Sequence, residues 1–211
     1  MAFLSQEQKD SIRDAIREAE SRTSGEFVAV LAQESDGYRF IPVLWAALVA
    51  LVTPAVVLVL SKFSAFWIEP GLADVYLIQI LVFLVGIAVF GLSPLKMALI
   101  PARVKHMRAS RLAHEQFHRQ GLANTEGSTG VLLFVSVAEH YVEIIADRGI
   151  HQQVEEGAWD AIVADFVRRV AVGQVTEGFL AAIDGCGSLL QQHFPREGGD
   201  VDELPNHLIE I

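Results

Sequence analysis

The chain has 211 residues, is 52% hydrophobic and carries a formal net charge of −10, with a mean hydropathy of +0.36. It is long enough for one domain and too apolar for an ordinary soluble one. A single cysteine, Cys186, excludes an internal disulfide and suits a reducing cytoplasm, while the acidic run from Glu139 to Ile211 argues against nucleic acid as a partner.

Ser5, with Gln8 three residues on, reads as the capping box of a first helix whose narrow apolar face is Ile12, Ala15, Ile16 and Ala19. After Gly25, the run Glu26 to Ala32 (EFVAVLA) reads as a strand with a polar exit, Gln33 to Gly37. Two uncharged stretches follow, residues 41–61 and 75–95. Each has about the 20 residues that a helix needs to cross the hydrocarbon core of a bilayer. Neither begins at the N-terminus, so a retained transmembrane hairpin is expected rather than a signal peptide.

Basic residues set the orientation. Arg39 precedes the first span, and Lys96, Arg103, Lys105, Arg108 and Arg111 follow the second, whereas the loop 62–74 has only Lys62 beside Glu69 and Asp74. Both outer flanks, and with them both termini, are therefore expected on the cytoplasmic side. Trp45, Trp67 and Tyr76 fall near the span ends, as interfacial aromatics do. The basic strip suits anionic lipid headgroups.

Pro101 opens a long basic helix to about Gln120, stopped by Gly121. The small polar loop Leu122 to Gly130 leads into two apolar runs, Val131 to Val137 and Tyr141 to Ala146, which read as a buried antiparallel hairpin through Ala138, Glu139 and His140. Trp159, Ile162, Val163, Phe166 and Val170 mark a helix, and a final one runs from about Thr176 to His193 before Pro195. The tail 196–211 is acidic and turns apolar at Leu208, Ile209 and Ile211, which marks its end for docking. The three strands need one another to be stable, and an even number of crossings leaves them on one side. The expected architecture is a single cytoplasmic α/β domain, residues 1–38 and 101–195, interrupted after its first strand by a two-helix membrane anchor.

This order, with Thr129-Gly130-Val131-Leu132-Leu133 and Asp147-Arg148-Gly149-Ile150 before the WDAIVADF helix, resembles the TPM domain family. It is similar to the family's bacterial membrane branch, in which a hydrophobic hairpin lies inside the domain. The resemblance implies a three-layer α/β/α sandwich in the bacterial inner membrane. It also brings in the acid phosphatase activity and calcium binding ascribed to some members.

Candidate chemistry lies in the loops at strand ends. Glu34, Asp36, Thr125 and Asp147, with Asn124 and Thr129, offer the carboxylates and hydroxyls that calcium or another divalent cation prefers. Whether Asp36 joins the others depends on the direction of the first strand. Asp147 and Arg148 are the catalytic candidates, with Arg148 as a phosphate clamp; they serve equally as an ordinary turn and surface ion pair. His114-Glu115-Gln116-Phe117-His118 is an H-E-x-x-H motif on a helix, which places two imidazoles on one face for zinc. A catalytic zinc needs a third ligand: Asn124 stands where the extended motif has His, and His106 lies two turns before. The alternative is that His106, His114 and His118 are the polar face of a membrane-proximal helix.

The expected function is an interaction or accessory module at the cytoplasmic face of the membrane. Its partners would be the bilayer and another membrane or envelope protein, with a divalent ion as a candidate ligand. A metal-assisted phosphatase is the alternative, and a zinc hydrolase ranks behind both.

Overall fold

The computed structural model describes residues 4–63, 71–155, 157–196 and 203–211. The loop positions Trp67 and Glu69 and the tail acids Asp200 and Asp202 lie outside the described residues. The chain divides into two compact units, Met1–Ser35 with His106–Ile211, and Asp36–Lys105.

The first unit is built on a mixed sheet. Strand β1 (Glu26–Ala32) pairs in parallel with β2 (Gly130–Ser136), Glu26 opposite Gly130 and Ala32 opposite Ser136. Strand β3 (Tyr141–Ala146) returns antiparallel to β2. The sheet order is β3-β2-β1-β4, where β4 (Leu208–Glu210) runs parallel to β1. Both β1 and β2 are buried along their whole length, which is why they read as near-continuous apolar runs rather than alternating ones. The tail end therefore docks as a fourth strand.

Alternation along the strands divides the core into two. Phe27, Ala29, Leu31, Val131, Leu133 and Val135 face one layer of helices: α1 (Gln6–Glu20), α7 (Asp160–Ala171) and α8 (Val175–His193). Val28, Val30, Leu132 and Phe134 face the other layer, where Ala109, Ala113 and Phe117 of α5 (Ala102–Arg119) pack. The result is the three-layer α/β/α sandwich, interrupted after β1. The capping box at Ser5 forms as expected, with its Oγ accepting from the Gln8 amide and Gln8 Oε1 accepting from the Ser5 amide at 2.8 Å. Gly187 lets α8 approach α1 closely, since a Cβ there would lie 2.8 Å from that of Ala19.

The second unit contains α2 (Phe40–Phe63), α3 (Leu72–Phe90) and the short α4 (Ser93–Leu99). The expected second span, 75–95, is shifted: its helix starts at Leu72, where Asp74 caps the Gly71 amide, and ends at Gly91. Residues 93–95 belong to α4, because Pro94 suits the first turn of a new helix. Gly86 packs against Ala46 between α2 and α3, the small-residue contact that lets apolar helices come close. Residues of both helices remain exposed along their apolar lengths, among them Leu51, Leu60, Leu77 and Leu81. Phe40–Lys62 and Leu72–Phe90 are long and apolar enough to cross a membrane.

Candidate functional site

Parallel pairing of β1 with β2 decides which loops share an edge of the sheet. At the amino ends of β1 and β2 lie Glu26, Thr129, Thr125 and, from the end of β3, Asp147. Glu34 leaves β1 at the opposite edge, and Asp36 belongs to the second unit, where its Oδ1 accepts from the Tyr38 amide at 3.0 Å. Of the candidates in the first unit, Thr125 and Asp147 share an edge and Glu34 lies at the opposite one.

The amino edge is built from tight turns. Thr125 Oγ1 donates to the Leu122 carbonyl at 3.3 Å and accepts from the Thr129 amide at 3.2 Å, while Thr129 Oγ1 donates to the Ser24 carbonyl. Both hydroxyls are buried and committed to holding the loop. Asn124 ends a short 3-10 turn, Leu122–Asn124, just before Thr125. Asp147 caps α6 (Arg148–His151), its Oδ1 accepting from the Arg148 amide at 2.7 Å. Its Oδ2 is buried and makes no hydrogen bond among the described residues. The Arg148 side chain is exposed. Calcium takes six to eight oxygens; this edge offers it one uncommitted carboxylate oxygen and the carbonyls of Gly127 and Ser128, against which Gly149 packs.

At the carboxyl edge, Glu139, Ser35 and Ser136 hold the strand exits together. Glu139, in the hairpin turn and only 4% exposed, accepts from the Ser35 amide at 2.9 Å and from the Ser136 hydroxyl. Ser35 Oγ in turn donates to Ser136 Oγ at 2.8 Å. Sequence gave Glu139 only as a polar turn residue; its burial follows from β1 ending beside β2.

The same edge opens into a cavity of about 710 Å³ between the sheet, α1, α7 and α8. Its walls are mostly aliphatic, with Leu31, Val135, Val170 and Val175 around Phe166. Phe166 is held by an edge-on contact with Phe179, ring centres 5.2 Å apart. The polar residues of its lining are Gln8, Ser136, His140, Tyr141, Thr176 and Glu177. In α/β sheets, ligands bind outside the carboxyl ends of parallel strands, and apolar cavities of this size with few polar groups are characteristic ligand sites.

On α5, His114 and His118 are both exposed. His114 Nδ1 donates to the Ser110 carbonyl one turn back at 2.9 Å, and the His118 ring stands edge-on to Phe117. Two turns earlier, His106 contacts the Tyr141 ring, centres 5.5 Å apart. Among the described residues, no group of three His, Cys, Asp or Glu side chains is arranged to hold a metal. Tyr141 lies beside Glu143, whose Oε1 accepts from Ser110 Oγ at 3.5 Å. Burial first, then the Glu143 charge, raises the Tyr141 phenol above its ordinary value, against a lowering hydrogen bond with Ser110.

The sequence profile of the TPM domain matches residues 97–189. No curated protein matches the chain. Its fold is similar to the NMR structure of BA42 protein from the psychrophilic bacterium Bizionia argentinensis sp. nov., with a TM-score of 0.61 and 22% identity, covering 100% of this chain and 97% of that one.

Proposed function

The chain carries a TPM domain, and on that premise we propose that it is a membrane-anchored binding module, with its α/β unit at the cytoplasmic face acting as an interaction or accessory element. The observation that carries this reading is the apolar cavity at the carboxyl ends of β1 and β2. A cavity whose walls are Leu, Val and Phe is suited to holding a ligand by burial, the non-directional force that dominates association. The anchor is supported by the two helices, of 23 and 19 residues, that are long and apolar enough to span a bilayer. The orientation is supported by Lys96, Arg103, Lys105, Arg108 and Arg111 beside the second span.

The test is a photoreactive amino acid at Val167, which is exposed on the cavity rim, activated in intact bacterial membranes. An adduct that disappears when Ala171→Trp fills the cavity is expected. No adduct above background would sink the reading.

Asp147 Oδ2, buried without a hydrogen bond among the described residues, favours a second reading at the amino edge: a divalent cation held there as a structural ion. Calorimetric titration of the full-length protein with calcium would give a binding isotherm that Asp147→Asn abolishes. An unchanged isotherm in the variant removes Asp147 from that role.

A further inference from the structure

We propose that β3, the outer strand of the sheet, pairs antiparallel with β3 of a second copy of this chain, Ile144 opposite Ile144, and so joins two sheets edge to edge. This goes beyond the binding module proposed above, since it concerns the edge of the sheet and does not depend on what the cavity holds.

The ladder decides which backbone groups are left over. The Asp147 amide donates to the Gly130 carbonyl, and on the other side of β2 the Val137 amide donates to the Ala32 carbonyl. Backbone groups alternate in direction along a strand, so the even-numbered residues of β2 bond to β3 and the odd-numbered ones to β1. In β3 the odd-numbered residues face β2, and the amides and carbonyls of Val142, Ile144 and Ala146 point outward. β3 ends the sheet, and among the described residues no loop supplies these groups with a backbone hydrogen bond.

Unpaired edges are normally blunted by short strands, by charge, by Pro or by bulges. The opposite edge follows that rule: β4 has three residues, and Lys9 pairs with Glu210 upon it at 2.7 Å. β3 does not. It runs six residues, Tyr141 to Ala146, with no Pro and no Lys, and no bulge interrupts its register with β2. Its one charge, Glu143, turns toward α5, where Oε1 accepts from Ser110 and Oε2 is already shut off from water. A neighbouring strand therefore adds little to the cost of burying it.

A row of alternating donors and acceptors is complementary to its own copy under a two-fold axis, the commonest symmetry of soluble oligomers. The outward groups meet only where even-numbered residues oppose even-numbered ones. Centring the pair on Glu143 would set two carboxylates face to face, and centring it on Ile145 would set Glu143 against Asp147; like charges directly opposite are destabilising. A centre at Val142 leaves Ile145 and Ala146 unmatched. Centring on Ile144 sets Val142 against Ala146 and Glu143 against Ile145, and it uses the whole strand.

The experiment reads that register. Full-length chains with distinct tags, one carrying Glu143→Cys and the other Ile145→Cys, are reconstituted together in phosphatidylcholine vesicles and oxidised. Cys186 is buried and stays silent. The two new thiols form a close, non-hydrogen-bonded pair in the dimer, at a spacing that a disulfide bridges. Expected is a mixed disulfide dimer severalfold more abundant than either same-position dimer. Ile144→Pro deletes an outward amide that the fold does not use, so it should cut the mixed dimer severalfold; where that variant does not fold, the register alone decides. Same-position dimers as abundant as the mixed one, or no dimer above that of an exposed control, Ser21→Cys, would overturn the proposal. Slow hydrogen exchange at the Ile144 amide without the mixed dimer would give this edge to a different chain and overturn the self-pairing.

Discussion

Lys9 Nζ stands 2.7 Å from Glu210 Oε2, so the first helix of the chain holds its last strand. Both side chains are partly exposed, and such a pair contributes only about 0–1 kcal/mol. The greater hold comes from Leu208, which is buried in the core, and from two backbone bonds, the Gln33 amide to the Ile211 carbonyl and the Ile211 amide to the Leu31 carbonyl.

A chain ending at Asn206 should therefore lose about 2–4 kcal/mol of stability, the worth of one buried Leu with a few hydrogen bonds. Hydrogen exchange should speed up at the Gln33 amide, which loses its partner, while the interior β2 amides keep their order of protection. Lys9→Ala alone should lower stability by less than about 1 kcal/mol. Equal losses for the two variants would contradict this division.

Gly149 follows Arg148 in the Asp147-Arg148-Gly149-Ile150 turn, and a Cβ there would lie 2.5 Å from the Gly127 carbonyl oxygen and 2.7 Å from that of Ser128. Backbone cannot yield as a flexible side chain does, so Gly149→Ala should cost about 1–3 kcal/mol. The fall in unfolding midpoint should exceed that of Gly173→Ala in which nothing lies within 4 Å of the added Cβ but φ is +84°. Equal midpoints would mean that the loop of Gly127 and Ser128 gives way freely.

The Tyr141 phenol is held above its ordinary value by burial. A raised value in the folded state means that the native protein keeps the proton longer than the unfolded chain does. Its contribution to stability is therefore complete below the ordinary phenol range near 10 and is lost as pH rises through the folded value. Difference titration of the phenolate absorbance between the parent and Tyr141→Phe should show late ionisation, and the variant should have a shallower alkaline loss of stability. Ionisation at the ordinary value would refute the burial argument.

Cys186 is fully buried in the α8 core, and burial pushes its thiol up, so it should resist membrane-impermeant maleimide in native cells. Against that silent background, Leu72→Cys, at the start of the second apolar helix, should label from outside the cell. Ser21→Cys, exposed at the end of α1, should label only after lysis. The reverse pattern would invert the proposed orientation.

Sequence alone determined the elements whose signal is local. Residues 41–61 carry enough uninterrupted apolar length to mark a helix long enough to cross a membrane, and the spacing of Ser5 and Gln8 marks the cap of α1. The burial of β1 and β2 on both faces is likewise written in Phe27 to Ala32 and Val131 to Val135, because no alternating polar face survives when helices cover both sides. What only the tertiary structure decided is which ends meet. A strand reads the same whether it runs parallel or antiparallel to its neighbour, since its side chains alternate identically in either direction. Once Ala32 lies opposite Ser136, Glu34 is removed from Thr125 and Asp147, Glu139 becomes the buried clasp of Ser35 and Ser136, and Leu31 and Val135 end at one cavity. Thr176 is an unremarkable second residue of a helix until α8 packs there and removes its hydroxyl from water.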